Sequence, residues 1–449
     1  MAEVWIIGGG LAELAAALEL AEVGLSVRVA EGPATDRAWA ALAPEGVPDP
    51  DGALRALLEH ASAPLQPGGQ ADDEAAPVAT PNPAVLLRAS NGAWAPQPEP
   101  SVLGIPAVPL AAESLALMGT GPAMRAYLDR VKPVLTIGKT HALGELVRSR
   151  LGKSALERLV EPLVRERFGV GADDVDVAIA APGLNEDLTT AGSLSGAVLN
   201  YSERGVARET LIAPKGGWAG LRAALRRRLE LYGAEFVDET VTELRRADEG
   251  WLVVTSDGAE SEAAAAVVGY GPDTVDLTGM AEELARLAPA ARRVEIRIPI
   301  ADPGLPAGHE AGPAVESIEL PGTGIWSVRL ERGAEGWRGI VRGPAMAVEQ
   351  EAALSEAQIL EYGLTAVTTA GAEADAAHSG DIAIVRGTAP YGKIASRDAE
   401  ESRLAVWRAA HEDALPVGPE LHGGDVADAI ADAREAAVTL RRRLTGITE

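Results

Sequence analysis

Val4-Trp5-Ile6-Ile7-Gly8-Gly9-Gly10-Leu11-Ala12-Glu13-Leu14 decides the fold class. A short β-branched strand runs into a glycine turn, and an Ala/Leu helix follows to Val23, ended by Gly24. Arg28-Val29-Ala30-Glu31 then reads as a second strand closing on an acid about 20 residues further on. This β-α-β layout predicts a Rossmann-like α/β unit whose turn seats the pyrophosphate of FAD or NAD on a helix N-terminus. Gly8 and Gly10 are the expected backbone contacts. Glu31 is either the ribose acid or a plain strand-end acid. The third glycine of the fingerprint, needed where helix and strand touch, is replaced by Glu13. That residue brings bulk and negative charge to the place of the ligand's own charge.

The bulk composition narrows the function classes. With 449 residues, 47% of them hydrophobic, the chain is long enough for a large core and two intertwined domains. A net charge of -26 opposes nucleic-acid binding, because phosphates are repelled. The absence of cysteine removes disulfides, thiolate nucleophiles and Cys-based metal sites. The six histidines show no ligand spacing, so no metal is expected. No apolar run of 18 residues suggests a transmembrane segment, and a strand so near Met1 leaves no room for a signal peptide. The expected location is cytoplasmic.

Along the chain, the pattern decays after Glu31, with one short helix read at Asp51–His60, until a hairpin, Val85–Arg88 with Trp94–Pro96, turning at Asn91-Gly92. Residues 110–200 are mainly helical. The best segment, Thr140–Phe168, carries Leu143, Leu146, Val147, Leu151, Leu156, Leu159, Val160 and Leu163 at helical spacing, with Pro162 expected to bend it. That stripe is read as a core or dimer face, with a membrane-facing surface as the alternative. A second cofactor-domain block follows: Lys215-Gly216-Gly217-Trp218, the helix Leu221–Tyr232, and strands at 234–237, 240–244, 250–255 and 265–272. Short strands fill 290–390, with a helix near Glu349–Tyr362. Two helices follow from Arg397, separated by Gly423-Gly424-Asp425. The expected division is a discontinuous FAD-binding-like domain (1–100, 205–275, 395–449), a helical segment (101–204) and a substrate-domain-like sheet (276–394).

Several stretches together resemble one family, the FAD-dependent protoporphyrinogen/coproporphyrinogen oxidases in their actinobacterial form, within the flavin amine-oxidase-like superfamily. They are Val4–Leu14 with Glu31, Gly104–Pro109, Leu146–Gly152 and Arg158–Leu163. Ala181–Leu184 with Gly192–Val198 is the most distinctive, and Gly216-Gly217, Thr240–Leu244 and Ile430–Arg434 complete the set. The resemblance implies FAD in a two-dinucleotide-binding-domain core, with a substrate domain and a helical segment. It also implies six-electron oxidation of a porphyrinogen by oxygen, with the redox chemistry left to the flavin and no catalytic side chain expected. Val241 matches the residue whose backbone touches the adenine.

The departures from the family cluster at the flavin. Besides Glu13, the segment after Glu31 is Gly32-Pro33-Ala34-Thr35-Asp36-Arg37-Ala38 in place of the Gly-Gly-Arg/Lys wrap, and the next strand is expected to be deleted. Arg165-Glu166-Arg167-Phe168 replaces a glycine pair that permits close approach to the ring system. Arg165 and Arg167 are candidates for porphyrin propionates, or ordinary exposed helix arginines. Asp425 stands in the closing glycine turn, either as a second carboxylate blocking the site or as the N-cap of the last helix. Arg403–His422 reads as too short for the usual strand and loop.

These losses predict a degenerate paralogue of the porphyrinogen oxidase with weak or absent FAD binding. It would act by binding a porphyrin or by pairing with a protein partner, an active paralogue or another heme-pathway enzyme. The alternatives are an active FAD-dependent porphyrinogen oxidase with a rearranged flavin site, and a flavoprotein fold recruited to non-redox catalysis.

Overall fold

The computed structural model describes residues 3–66, 68–81, 84–133, 141–204, 210–271, 277–306, 312–333 and 336–446. The chain folds into two compact units: Met1–Asn82 with Ala207–Pro289 and Asp398–Glu449, and Pro83–Val206 with Ala290–Arg397. The hairpin near residue 90 thus falls in the second unit.

In the first unit, β1 (Glu3–Ile7) and β2 (Ser26–Ala30) flank α1 (Leu11–Ala21). Then come α2 (Pro33–Ala41), α3 (Gly217–Leu231), β3 (Glu235–Val237), β4 (Ala265–Gly269), β5 (Ala414–Val417) and α4 (Val426–Leu444). The sheet order is β3-β2-β1-β4-β5, and every pairing is parallel. A parallel sheet needs cover on both faces. One face packs Val4, Ile6, Val27, Val29 and Val267 against α1, α3 and α4. The other packs Trp5, Ile7 and Val268 with Trp251 and Val253 from a meander of strands Val241–Arg246, Trp251–Thr255 and Glu260–Ala263.

Helix α1 is apolar on nearly every side because α4 covers the face that the sheet leaves open. Ala429, Ile430, Ala433 and Ala437 of α4 are small enough for close packing. Glu19, the charged exception on α1, is gripped by Arg434 and Arg441, each 2.8 Å away. Without those partners a buried carboxylate would cost several kcal/mol, roughly 3–5.

Two expectations are corrected here. The stretch Arg403–His422 does hold a strand: Ala414-Leu415-Pro416-Val417 is buried throughout and adds β5 to the edge beside β4. Proline is tolerated there because an edge strand leaves one row of N–H groups unpaired. The segment after Glu31 is not patternless either. Gly32-Pro33 starts α2, with Pro at the helix's first turn, where a missing N–H costs nothing.

The second unit is built on an eight-stranded sheet that includes the hairpin Leu86–Arg88 with Trp94–Pro96. Its apolar face packs Val294, Ile296, Ile298, Val328 and Val341 against the helix Glu356–Thr369. The helical segment follows the predicted stripe, and all eight apolar residues from Leu143 to Leu163 lie in one core. The segment is interrupted twice, at Gly152 and at the π turn Leu156–Val160 that runs into Pro162. Helix Leu143–Arg150 stops at Gly152, whose φ of +98° no L side chain adopts comfortably. Pro162 lies in the first turn of the helix Glu161–Phe168 that follows the π turn, as a proline that interrupts the ladder should. Among the described residues, no helix is long and apolar enough to cross a membrane.

Candidate functional site

The carboxyl ends of β1, β2 and β4 meet the start of α1, the location where open α/β sheets bind ligands. Gly8 turns the chain at φ +116°, with its N–H donated to the Ala30 carbonyl at 3.0 Å. Gly10 precedes α1, and its backbone supplies no side-chain cap. Gly269, at the end of β4, closes the third side. Sequence reading placed it in a strand-to-turn but did not mark it as a site residue.

Glu13 keeps part of its surface exposed, yet its carboxyl group is folded down onto this turn. A β-carbon on Gly269 would lie 2.1 Å from Glu13 Oε1, and one on Gly10 would lie 2.7 Å from Oε2. One on Gly8 would lie 3.2 Å from Oε1. The three glycines therefore leave room for the carboxyl and for little else. Burial pushes the Glu13 carboxyl up to about 7, and a hydrogen bond from its own backbone N–H pulls only partly the other way. Burial thus favours the neutral form of this carboxyl. Occupied volume, more than charge, opposes an anionic ligand here.

Glu31 ends β2 as expected, but its carboxylate is taken up by this chain's own cations. Arg222 and Arg226 of α3 each lie 3.3 Å from it. Its Oε1 would be 2.7 Å from a β-carbon on Gly9, so it leans over the turn. Helix α2 crosses the same turn: Trp39 Nε1 donates to the Gly9 carbonyl at 2.8 Å, and the Thr35 methyl would be 3.0 Å from a Gly9 β-carbon. Between α2 and α3 an open cleft of about 480 Å³ remains, lined by Glu31, Trp39, Trp218, Arg222 and Arg226. No local sequence signal marks Trp39 as a turn contact, because its partner is a backbone carbonyl 30 residues earlier.

Val241 opens the strand Val241–Arg246 at a register shift, and Thr240 beside it faces Gly32, so this strand start stands next to the end of β2. Asp425 lies at the N-cap of α4 and accepts the Asp428 N–H at 3.0 Å. Burial, then the charges of Asp425, Asp51 and Glu401, push the Asp428 carboxyl up to about 6, against the opposing pull of His422. The Asp425 carboxylate is therefore engaged at the helix start.

Arg165 and Arg167 belong to the second unit. Arg165 forms an ion pair with Glu161 at 2.5 Å. Arg167 is exposed and lies 5.1 Å over the Phe168 ring. The residue between them proves the more structured. Glu166 accepts from Arg329 at 3.0 Å and Arg342 at 3.3 Å, within a chain of alternating charge that runs on to Glu331 and Glu295. Arg293, buried beneath, donates to the carbonyls of Arg165 and Glu166 and so caps the last turn of their helix. Neither Glu166 nor Arg293 is marked by local sequence. Strand alternation places Glu295, Arg329 and Arg342 on one face only once the register is known.

A bound diphosphate would need the space over Gly10 and Gly269 that the Glu13 carboxyl fills. As arranged, the turn has room for a diphosphate only with the Glu13 side chain moved aside. Among the described residues, no group of three His, Cys, Asp or Glu side chains is placed to hold a metal ion.

No protein-family model and no curated protein matches the chain. Solved structures do. A candidate protoporphyrinogen oxidase from Exiguobacterium sp. 255-15 is 18% identical, with a TM-score of 0.68 over 98% of this chain and 99% of that one. Reduced UDP-galactopyranose mutase is 12% identical, with a TM-score of 0.58 over 100% and 96%. An oxidoreductase from Methanosarcina mazei is 14% identical, with a TM-score of 0.55 over 96% and 99%. At such identities the likeness is one of fold. The chain has the α/β, Rossmann-type flavoprotein fold with a separate sheet unit.

Proposed function

We propose that this chain is a degenerate paralogue of the porphyrinogen oxidases, a flavoprotein fold that lacks normal FAD binding. Its work would be binding, of a porphyrin or of a protein partner in heme biosynthesis. The observation that carries the proposal is the Glu13 carboxyl lying against Gly8, Gly10 and Gly269. Glu31 paired with Arg222 and Arg226, and α2 tied to Gly9, support it from the other side of the turn. The fold shared with the Exiguobacterium protein supports the porphyrin assignment, with Arg165 and Arg167 as the candidates to meet a propionate.

The visible spectrum of the purified full chain tests this reading. A colourless protein that stays so after incubation with FAD, and whose intrinsic fluorescence is quenched by coproporphyrin III, is the expected result. Stoichiometric FAD released on denaturation would overturn it.

One observation favours a second reading, an active FAD-dependent porphyrinogen oxidase with a rearranged site. The atoms that fill the turn are the far end of the flexible Glu13 side chain, which can swing aside without moving the backbone. Under that reading the protein would be isolated yellow and would consume oxygen with a porphyrinogen.

A further inference from the structure

We infer that the outward face of Thr120–Lys132 is a docking surface for an anionic lipid bilayer, against which the chain lies without crossing it. The inference concerns the second unit alone and holds whether or not FAD binds, so it stands apart from the function proposed above.

The charge pattern of the sequence is the first support. Acids outnumber bases 66 to 40 in the chain, yet from Ser114 to Gly144 the only acid is Asp129, against Arg125, Arg130, Lys132 and Lys139. The second support is an unpartnered apolar face. The helix Thr120–Tyr127, continued by the helical turn Leu128–Val131, has two sides. On the inner side Ala123 and Ala126 enter the apolar core. Asp129, wholly buried there, pairs with Arg150 and accepts from the N–H groups of Leu194 and Ser195. On the outer side Met124, Tyr127, Leu128 and Val131 follow the spacing of one helical stripe and are 47%, 39%, 50% and 78% exposed. Elsewhere among the described residues, large exposed apolar side chains come singly along the chain, apart from the neighbours Leu231 and Tyr232. A single such residue is ordinary, whereas a stripe of four marks a contact surface.

Exposed cations stand beside the stripe. Arg125 donates to the carbonyls of Arg150 and Ser149 at 2.9 and 3.1 Å, and Lys132 to that of Ser149 at 2.6 Å. Arg130 lies 5.2 Å over the Tyr127 ring. Carbonyls and a ring leave a cation's charge in place, and among the described residues no carboxylate pairs with these three. An apolar stripe between cations is complementary to a surface with acyl chains beneath anionic headgroups. The long Arg and Lys side chains reach headgroups while the stripe enters below them. Two copies meeting through the same stripe would bring like charges together. Screening beyond about 8 Å at physiological salt lets the near cations outweigh the distant acids behind the net charge of -26.

The test is flotation of the full-length chain with vesicles of phosphatidylcholine alone, and of phosphatidylcholine mixed with phosphatidylglycerol, at low and high salt. The wild type should float with the anionic vesicles, less so at high salt, and stay behind when the vesicles are neutral. Leu128→Ser with Val131→Ser removes apolar area, and Arg130→Gln with Lys132→Gln removes charge. All four side chains are exposed, so both variants should fold, which circular dichroism checks. Each double variant should bind the anionic vesicles roughly tenfold more weakly or worse. A wild type that ignores anionic vesicles would overturn the inference, as would equal flotation with neutral ones. Folded variants that bind like the wild type would overturn it too, because the contact would then lie elsewhere. So would a concentration-dependent dimer in light scattering that Leu128→Ser with Val131→Ser dissolves, since the stripe would then belong to a second copy.

Discussion

The indole N–H of Trp39 is donated to the carbonyl of Gly9 at 2.8 Å, so the helix after β2 is fastened to the turn before α1. A helix has taken the position of the glycine-rich wrap whose absence the sequence already shows. Its tryptophan is buried and uses its polar atom on the backbone it covers. The turn is thus held by backbone and indole from outside and filled by Glu13 from within.

Trp39→Phe keeps most of the packing but leaves the Gly9 carbonyl without its donor. A buried acceptor left unpaired costs about 1–3 kcal/mol. Urea unfolding should show a loss of this size, and FAD uptake should stay absent. A variant as stable as wild type would show that water replaces the indole freely.

Glu13 makes stability depend on pH with a definite sign. Its carboxyl titrates near 7 in the folded chain against 4.5 unfolded, so folding favours the protonated form. Below 4.5 both states are protonated and no cost arises; between 4.5 and 7 stability falls, and above 7 the whole cost is present. The cost is on the order of 3 kcal/mol at most, since part of the residue meets solvent. Glu13→Gln should therefore gain on wild type as pH rises from 4.5 to 8, read by urea midpoints at the two ends. A difference that does not change with pH would place the carboxyl in solvent.

Glu13→Gly should still not restore stoichiometric FAD. Opening the phosphate seat leaves Glu31 paired to Arg222 and Arg226, and α2 across the turn. Absorbance of the purified variant, before and after incubation with FAD, checks this. Full loading would mean that Glu13 alone keeps the flavin out.

In the second unit, Glu166→Ala strands Arg329 and Arg342 beside one another with no carboxylate between them. Arg329 keeps Glu331 and Arg342 keeps Glu295, so removing the shared partner should cost about 1–3 kcal/mol, the range for one lost charge-assisted hydrogen-bond partner. Glu166→Gln, which still accepts a hydrogen bond, should cost less. Equal stability of all three chains in urea would reduce Glu166 to a surface residue.

Much of the fold was legible because its signals are local. The glycine turn, the β-branched strands on either side and the helical spacing from Leu143 to Leu163 each lie within one stretch of chain. The N-cap at Asp425 was legible for the same reason, since its acceptor and donor are 3 residues apart. What was missed has partners far away in sequence. β5 is four residues with a proline, recognisable as a strand only beside β4. The Arg222 and Arg226 pairs with Glu31, and Glu166 with Arg329 and Arg342, join residues more than 160 positions apart.

The sequence by itself determined that the first unit is a parallel α/β layer, because hydrophobic period and glycine position act over a few residues. It also placed a carboxylate at the first turn of α1. Only the tertiary structure decided where that carboxylate points. The direction depends on Gly269, which β4 brings beside Gly8 through the register Ile7 with Val268, some 260 residues away along the chain. Chain spacing can place a charge on a helix. The space that the charge fills is set by the walls around it, and those come from other strands.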